Sequence, residues 1–355
     1  MKNILCLMLL LVFAFLSCSD DDGPEVPEGP LLEIKGADIS FLPEVRQSGV
    51  VIRNADGQQE DMLVTLKKAG VNVIRLRLWK DPESPTSGFA SVKALSEEIK
   101  AMGLKVMIAL HYSDTWADPG HQTKPAQWEG ITYEQLKDSV YAYTARVVNE
   151  IEPEYIQIGN EINGGLLWPE GRYDQPEQMR ELISHGIQAV RDESPATKII
   201  LHYAGHEYAG TFFSNFTSLD YDIAGISYYP YWHGKDLAAL RASLAQVVSQ
   251  TGKPVFIAET SYPFTLEWND WTNNVIGQNN QLLSEFPATP EGQQAYVQRI
   301  KEIMLDVEDG LGFCYWGAEW ISYKGENATN GSTWENQAFW NFSKRALPVL
   351  QVYKD

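Results

Sequence analysis

Apolar and polar positions alternate in blocks along most of the chain. From residue 31 onward, short apolar runs are separated by polar loops and by longer stretches with apolar residues every three or four positions. Runs that are apolar on both faces are typical of parallel strands covered by helices. Eight such runs occur, the number that a closed (β/α)8 barrel needs. They cover approximately residues 34–39, 71–78, 104–111, 154–160, 198–204, 222–228, 254–260 and 311–316.

The stretches between these runs carry helix signals. Val92, Leu95 and Ile99 form one apolar stripe, and Thr132 with Gln135 forms a capping box that opens another helix. Glycines that can adopt the left-handed conformation ending a helix precede four of the strands; they are Gly70, Gly103, Gly252 and Gly310. We therefore predict an α/β fold, a single (β/α)8 TIM barrel over residues 31–355. The main alternative, a doubly wound open sheet, would be favoured by a glycine-rich phosphate loop after the first strand, and the sequence has none.

The composition narrows the classes of ligand. Apolar residues make up 44% of the 355 residues, enough for a large core, and the net charge is −19. That charge argues against binding nucleic acid or an anionic membrane surface through bulk electrostatics. Aromatic residues make up 12% of the chain, and aromatic faces stack well on sugar rings.

The amino terminus has the pattern of an export signal. Lys2 precedes an apolar stretch, residues 4–16, that is too short to span a bilayer and ends in Leu16-Ser17-Cys18. This pattern resembles a lipoprotein signal, so we predict a signal peptide over residues 1–17 and an acidic flexible tether over residues 18–30. The protein would then be exported as an outer-membrane lipoprotein, anchored by lipid on Cys18 and exposed at the cell surface. A plain secretory peptide followed by a solvated linker remains the alternative.

Two glutamates stand at the ends of apolar runs. Asn160-Glu161 ends the fourth run, and Glu259 lies near the end of the seventh. In barrels of this kind, functional groups gather on the loops after the strands. Retaining glycoside hydrolysis needs two carboxyl groups, one protonated to assist the leaving sugar and one ionised to attack the anomeric carbon. The pair therefore predicts a sugar-cleaving enzyme.

Longer motifs indicate a family. His111-Tyr112-Ser113-Asp114-Thr115-Trp116-Ala117-Asp118-Pro119 follows the third run, and Gly159-Asn160-Glu161 is followed by Leu166-Leu167-Trp168-Pro169. Together these segments resemble glycoside hydrolase family 53, the endo-β-1,4-galactanases, which belong to a large clan of retaining (β/α)8 hydrolases. The resemblance extends from about residue 34 to near the end of the chain.

The resemblance implies a role for each residue that matches its motifs. Glu161 would be the acid/base and Glu259 the nucleophile, with Arg75 and Tyr229 contacting the nucleophile and Asn160 bonding the sugar 2-hydroxyl. Arg77 faces the same side of the strand as Arg75 but at another depth in the barrel, and it is a second candidate for the arginine that contacts the nucleophile. The remaining substrate-binding positions would be Asp38, His111, Asp114, Trp116, Trp168, His202 and Trp316, with Trp316 as the floor of the −1 subsite and Trp116 and Trp168 as stacking platforms.

The resemblance also bears on metal and partners. Some members of the family bind calcium in the loop after the seventh strand. Here Asp270 and Asn274 could supply oxygen ligands, but Trp268 and Thr272 replace expected ones. Calcium takes six to eight oxygens, so we expect no required cofactor. The implied partner is β-1,4-galactan, and we expect a monomer.

Two other functions stay open. One is the same chemistry on another β-linked polymer, mannan or glucan, since clan relatives share the two glutamates; the segments quoted above speak against it. The other is a non-catalytic lipoprotein that captures polysaccharide, which would not need both carboxyl groups.

Overall fold

A closed barrel of eight parallel strands forms the centre of the computed structural model, which describes residues 31–354. This confirms the predicted fold class, and each predicted apolar run coincides with one barrel strand, although the eighth strand begins one residue before its predicted run. The barrel strands are β1 Ile34–Asp38, β2 Val73–Leu78, β3 Lys105–Leu110, β4 Tyr155–Ile158, β7 Lys198–Ala204, β8 Ile223–Ser227, β9 Val255–Thr260 and β10 Gly310–Tyr315. They are hydrogen-bonded to one another in this order around the barrel, and β10 pairs with β1 to close it. The predicted signal peptide, tether and lipidated Cys18 lie outside the described residues.

Helices alternate with the strands. They are α1 Leu42–Gln47, α2 Met62–Ala69, α3 Phe89–Ala101, α4 Tyr133–Ile151, α5 Pro176–Glu193, α6 Ala209–Ser214, α7 Pro230–His233, α8 Leu237–Thr251 and α9 Pro290–Asp306. After β4 the chain forms a small antiparallel hairpin, β5 Gly165–Leu166 with β6 Gly171–Arg172, which the sequence pattern did not predict. In the part of the chain that the structure describes, no helix has the length and apolarity needed to cross a membrane.

The helix signals act largely as predicted. At the start of α4, Thr132 Oγ1 accepts from Gln135 N at 3.3 Å, and Gln135 Oε1 accepts from Thr132 N at 2.9 Å. This is the capping box expected from the sequence.

The prediction for Gly310 was wrong. Asp309, at φ 56°, takes the left-handed conformation before β10, and Gly310 is the first residue of the strand. A Cβ at position 310 would lie 2.2 Å from the carbonyl oxygen of Met304. Glycine is therefore needed there because two stretches of backbone approach closely, and not to end a helix.

Side chains inside the barrel form two layers. Toward the amino ends of the strands they form an apolar cluster, which we call the lower layer: Ile34, Val73, Met107, Tyr155, Ile200, Ile223, Phe256, Ala258 and Cys314. Toward the carboxyl ends, six of these strands carry a set of polar side chains, which we call the upper layer: Asp38, Arg75, Gln157, His202, Ser227 and Glu259. A register shift between β8 and β9 pairs Ser227 with Glu259. The upper layer is the base of the candidate active site.

Candidate active site

A cleft of about 630 Å³ opens at the carboxyl ends of the barrel strands. This size is within the usual range for small-ligand sites. Nine residues singled out from the sequence line it: Arg75, Arg77, His111, Trp116, Asn160, Glu161, Tyr229, Glu259 and Trp316. The structure therefore brings most of the predicted site to one place.

The two carboxyl groups lie close together across the cleft. One oxygen of Glu161, one oxygen of Glu259 and one ring nitrogen of His202 all lie within 4.8 Å of one another. Retaining glycosidases hold their two carboxyl groups about 5–5.5 Å apart, whereas inverting enzymes need about 6.5–9.5 Å to admit a water molecule. The separation fits the retaining geometry.

The backbone at Glu161 is in a conformation unusual for a residue with a side chain. Its φ and ψ are 46° and 55°, in the left-handed region, and it follows Gly159 with φ 83°. Such a conformation costs about 1–3 kcal/mol and persists only where the surrounding structure enforces it. The turn after β4 thus directs the Glu161 side chain into the cleft.

Glu259 is held by two donors. Arg75 Nη2 donates to its Oε1 at 2.7 Å, and the Tyr229 hydroxyl donates to its Oε2 at 2.9 Å. Both contacts are those implied by the family resemblance. Burial raises the pKa of Glu259, while the Arg75 charge and the Tyr229 hydrogen bond act in the opposite direction.

Glu161 has a different environment. Its Oε1 accepts from the Ser227 hydroxyl at 2.6 Å, and within residues 31–354 it has no contact with a cation like the one that Arg75 makes with Glu259. Burial, followed by the nearby charge of Glu259, raises the pKa of Glu161 to about 8. Because Arg75 and Tyr229 favour the ionised form of Glu259, a proton shared by the pair resides on Glu161.

The two carboxyl groups also differ in exposure. Glu161 keeps part of its surface exposed in the cleft, whereas Glu259 is buried. The donors around Glu259, rather than a drier setting for Glu161, therefore separate the two groups.

Arg75 is the centre of the upper layer. Besides Glu259, its guanidinium donates to Asp38 Oδ2 at 2.7 Å, to Gln157 Oε1 at 2.7 Å and to Asn160 Oδ1 at 2.9 Å. Asn160 is also fixed at its other end, because Nδ2 donates to Ala117 O at 2.9 Å. A planar group with several donors can hold such an arrangement rigidly.

His111 presents one ring nitrogen to the cleft. Its Nδ1 accepts from Ala117 N at 3.0 Å and lies 3.3 Å from Trp79 Nε1, which is also a donor. Burial lowers the pKa of His111 well below its usual value, so the ring is neutral. The single ring proton is therefore on Nε2, where it can be donated to a ligand.

Aromatic side chains form the walls. Trp116 is 37% exposed, and the Arg77 guanidinium carbon lies 4.1 Å from its ring centroid. Arg77 thus supports Trp116 rather than contacting Glu259. Trp316 packs against Trp334 at 4.8 Å between ring centroids. Three further lining residues, Trp232, Trp320 and Trp334, were not among the predicted binding residues.

Four predicted residues do not line the cleft in residues 31–354: Asp38, Asp114, Trp168 and His202. Asp38 pairs with Arg75, and Asp114 accepts from the backbone of Asp81 at 3.0 Å and of Ala126 at 2.8 Å. Trp168 donates from Nε1 to Gly164 O at 2.9 Å. His202 is buried, with both ring nitrogens in contact with polar groups.

The loop after β9 does not offer a calcium site that fits. Both Asp270 oxygens already accept hydrogen bonds, from Thr272 N at 2.7 Å and from the Ser322 hydroxyl at 3.0 Å. Thr272 Oγ1 accepts from Gly331 N at 2.8 Å. Among the described residues, Asn274 Oδ1 in this loop and Oε2 of Glu335, whose Oε1 accepts from Asn269 N at 2.6 Å, are buried without a hydrogen-bond partner. Two free oxygens fall short of the six to eight that calcium takes.

A parallel barrel with two facing carboxyl groups above its strands defines a class of protein, the (β/α)8 glycoside hydrolases. The model of the family described as "Glycosyl hydrolase family 53" matches residues 34–353. The chain belongs to this family.

Relatives and a solved structure agree with this assignment. An uncharacterized protein in the bgaB 5′ region of Niallia circulans is 38% identical over 342 residues, which cover 90% of this chain and 93% of the relative. The endo-beta-1,4-galactanase of Bacillus subtilis (strain 168) is 33% identical over 371 residues, covering 90% of this chain and 85% of the relative. The solved Ignisphaera aggregans GH53 catalytic domain is 34% identical, with a TM-score of 0.86 and coverage of 93% of this chain and 97% of that one.

Proposed function

We propose that this glycoside hydrolase is an endo-acting β-1,4-galactanase that cleaves galactan, including the type I arabinogalactan side chains of pectin. The observation that carries the chemistry is the pair of carboxyl groups, whose nearest oxygens lie within 4.8 Å. Support for galactan as the substrate comes from the segments His111–Pro119 and Leu166–Pro169, and from the galactanase activity named for the Bacillus subtilis relative.

The proposed reaction is a double displacement. In the first step, an ionised Glu259 oxygen attacks the anomeric carbon while Glu161 donates its proton to the leaving glycosidic oxygen. The C–O bond to the leaving sugar breaks, and a glycosyl ester on Glu259 forms. In the second step, Glu161, now ionised, removes a proton from water, and the water oxygen displaces Glu259 with net retention.

The surrounding residues fit these two roles. Arg75 and Tyr229 stabilise the charge that Glu259 needs before attack and regains after the second step. The raised pKa of Glu161 keeps its proton available near neutral pH. Asn160, held by Arg75 and Ala117, is the residue that we expect to bond the sugar 2-hydroxyl.

The test combines product analysis with chemical rescue. Wild type on linear β-1,4-galactan should release mixed oligosaccharides early, and both Glu161→Ala and Glu259→Ala should lose this activity. With an aryl β-galactoside that the enzyme accepts, azide should give the β-glycosyl azide with Glu161→Ala and the α-glycosyl azide with Glu259→Ala. The opposite pairing would exchange the two roles. Cleavage of mannan or glucan and not galactan would overturn the substrate, and binding without cleavage would favour the capture protein.

Glu319→Gln is a matched control for these variants. Glu319 is buried after β10, and burial raises its pKa well above the usual value, so a neutral amide would replace a neutral acid. Its Oε1 accepts from Phe41 N, which an amide oxygen can also do. We expect this variant to retain galactan cleavage.

The location of the enzyme is a separate proposal. The Leu16-Ser17-Cys18 sequence and the acidic residues after it support a lipid-anchored enzyme at the cell surface. Palmitate labelling of cells and protease shaving test this, with Cys18→Ala as the control. A labelled, protease-accessible wild type and an unlabelled variant are expected; an unlabelled wild type would indicate plain secretion.

A further inference from the structure

Arg75 is linked to both carboxyl groups of the site, directly to Glu259 and indirectly to Glu161. The indirect link begins at Arg75 Nε, which donates to Gln157 Oε1 at 2.7 Å. Arginine nitrogens only donate, so this contact fixes which end of the Gln157 amide is oxygen. The other end, Nε2, lies 2.9 Å from His202 Nδ1 and must be the donor in that contact.

The orientation of Gln157 determines the state of the His202 ring. Because Gln157 Nε2 donates to Nδ1, that ring nitrogen carries no proton, and the Glu161 backbone N–H points at it as well, from 3.4 Å. The ring proton is then on Nε2, which lies 2.9 Å from Ser227 Oγ. Burial lowers the pKa of His202 well below its usual value, so the ring remains neutral.

One contact favours the other tautomer. Asn160 Oδ1 lies 3.1 Å from His202 Nδ1 and could accept a proton from it. That tautomer would place an N–H against the Gln157 NH2 group, whose nitrogen is nearer, at 2.9 Å. Asn160 Oδ1 already accepts from Arg75 at 2.9 Å, so it does not need the histidine as a donor.

The hydrogen bonds continue in the same direction through Ser227 to the carboxyl group of Glu161. Ser227 accepts from His202 Nε2, and its only proton is directed to Glu161 Oε1 at 2.6 Å. We propose that Gln157, His202 and Ser227 form a one-way chain of hydrogen bonds from Arg75 that confines the acid proton of Glu161 to Oε2. The three are positioning residues, and the proposal rests on Glu161 being the acid/base.

This arrangement has two consequences for the reaction. Oε2 is the oxygen that hands its proton to the leaving group and recovers it from water. Oε1 is held by a donor that stabilises Glu161 when it is ionised between the two steps. The charged and titratable groups facing Glu161 are Glu259 on β9, Arg75 on β2, His202 on β7, Tyr229 after β8 and Asp118 after β3.

The tautomer of His202 can be measured without substrate. The chain has six histidines, and nitrogen-15 NMR of protein labelled at histidine separates the two ring nitrogens of each. The signals missing from His202→Gln assign the residue. We expect a ring protonated only at Nε2 across about pH 5 to 8, the range in which histidines ordinarily titrate. A proton on Nδ1, or a ring that titrates in this range, would overturn the proposal.

Gln157→Glu should reverse the direction of these hydrogen bonds, and it changes the shape of the side chain very little. A carboxylate at position 157 still accepts from Arg75 but cannot donate to His202. We therefore expect a proton to appear on His202 Nδ1 in the NMR spectrum of this variant. If Nδ1 stays unprotonated, Gln157 does not set the direction of the chain, and the proposal fails.

The pH dependence of kcat/KM distinguishes positioning from a merely structural role. Ser227→Ala removes a donor that favours ionised Glu161, so the alkaline limb should move up by about one to two pH units. Ser227→Thr keeps the hydroxyl and should retain the wild-type limb. Lower activity with an unmoved limb in Ser227→Ala would contradict the proposal. Glu161→Gln is measured with an aryl galactoside whose leaving group needs no protonation. If its kcat/KM still shows an alkaline limb, Glu161 is not the acid/base, and the proposed function is at fault.

Discussion

The lower layer of the barrel interior takes side chains from all eight strands and the upper layer from six of them, and the two layers differ in what they contribute. The lower layer consists of apolar side chains, which gain free energy simply by leaving water. The upper layer buries Arg75 among Asp38, Gln157, Asn160 and Glu259, where desolvation offsets much of the attraction between charges. The lower layer therefore contributes mainly to the stability of the barrel, and the upper layer holds the charged and polar groups of the candidate active site.

The largest loss of activity should come from Glu259→Gln, a substitution in the upper layer. The amide cannot attack the anomeric carbon, so kcat/KM on galactan should fall by at least about 10⁴-fold. Steady-state assays of oligosaccharide release, with Glu319→Gln beside it, measure this loss. Activity within tenfold of wild type would remove Glu259 from the reaction.

Phe256→Ala should produce the largest effect in the lower layer. Phe256 is fully buried, and truncation should lower the free energy of unfolding by about 3–5 kcal/mol. The pH dependence of kcat/KM should stay that of the wild type, because Phe256 contacts the apolar cluster. Denaturant unfolding and a pH profile measure the two properties, and a shifted pH profile would show that the layers are coupled.

Tyr229→Phe should have an intermediate effect on the upper layer. It removes the hydroxyl that donates to Glu259 at 2.9 Å, a contact worth about 1.5–3 kcal/mol when the acceptor is charged. Without this donor the pKa of Glu259 rises. Because Glu259 must be ionised to attack, the acidic limb of kcat/KM should move to higher pH, and a limb that moves the other way would contradict the account.

The smallest effect should come from removing divalent cations. Asp270 and Thr272 connect the loops after β9 and β10 through hydrogen bonds to Ser322 and Gly331. We expect EDTA to leave both Tm and galactan cleavage unchanged, whereas Ser322→Ala should lower Tm. A clear fall in Tm with EDTA that calcium restores would place an ion in this loop.

The sequence pattern was sufficient for the barrel and for the two carboxyl groups. Barrel strands buried on both faces leave long apolar runs, and Glu161 and Glu259 stand out because they end such runs. The hairpin of β5 and β6 was missed because its strands have two residues each, too few for any periodicity.

The positioning residues were missed for another reason. Gln157 is a single polar residue inside an apolar run, and Ser227 is a small residue that ends one. Their partners are distant along the chain, Arg75 being 82 residues from Gln157 and Glu161 being 66 residues from Ser227. Only the closure of the barrel brings them together. A polar residue at an inward position near a strand end is the signal that could have identified Gln157.

The central claim is that Glu161 and Glu259 share one proton and that Glu161 holds it. The most direct test is the pH dependence of kcat/KM for wild type and Glu161→Gln, measured with an aryl galactoside whose leaving group needs no protonation, beside galactan. Glu161 is protonated below its pKa of about 8, so wild-type activity on galactan should fall as pH rises through about 8. Glu161→Gln should lose galactan cleavage and show no such fall with the aryl substrate. An alkaline limb near 8 that survives in Glu161→Gln would contradict the assignment of the proton to Glu161.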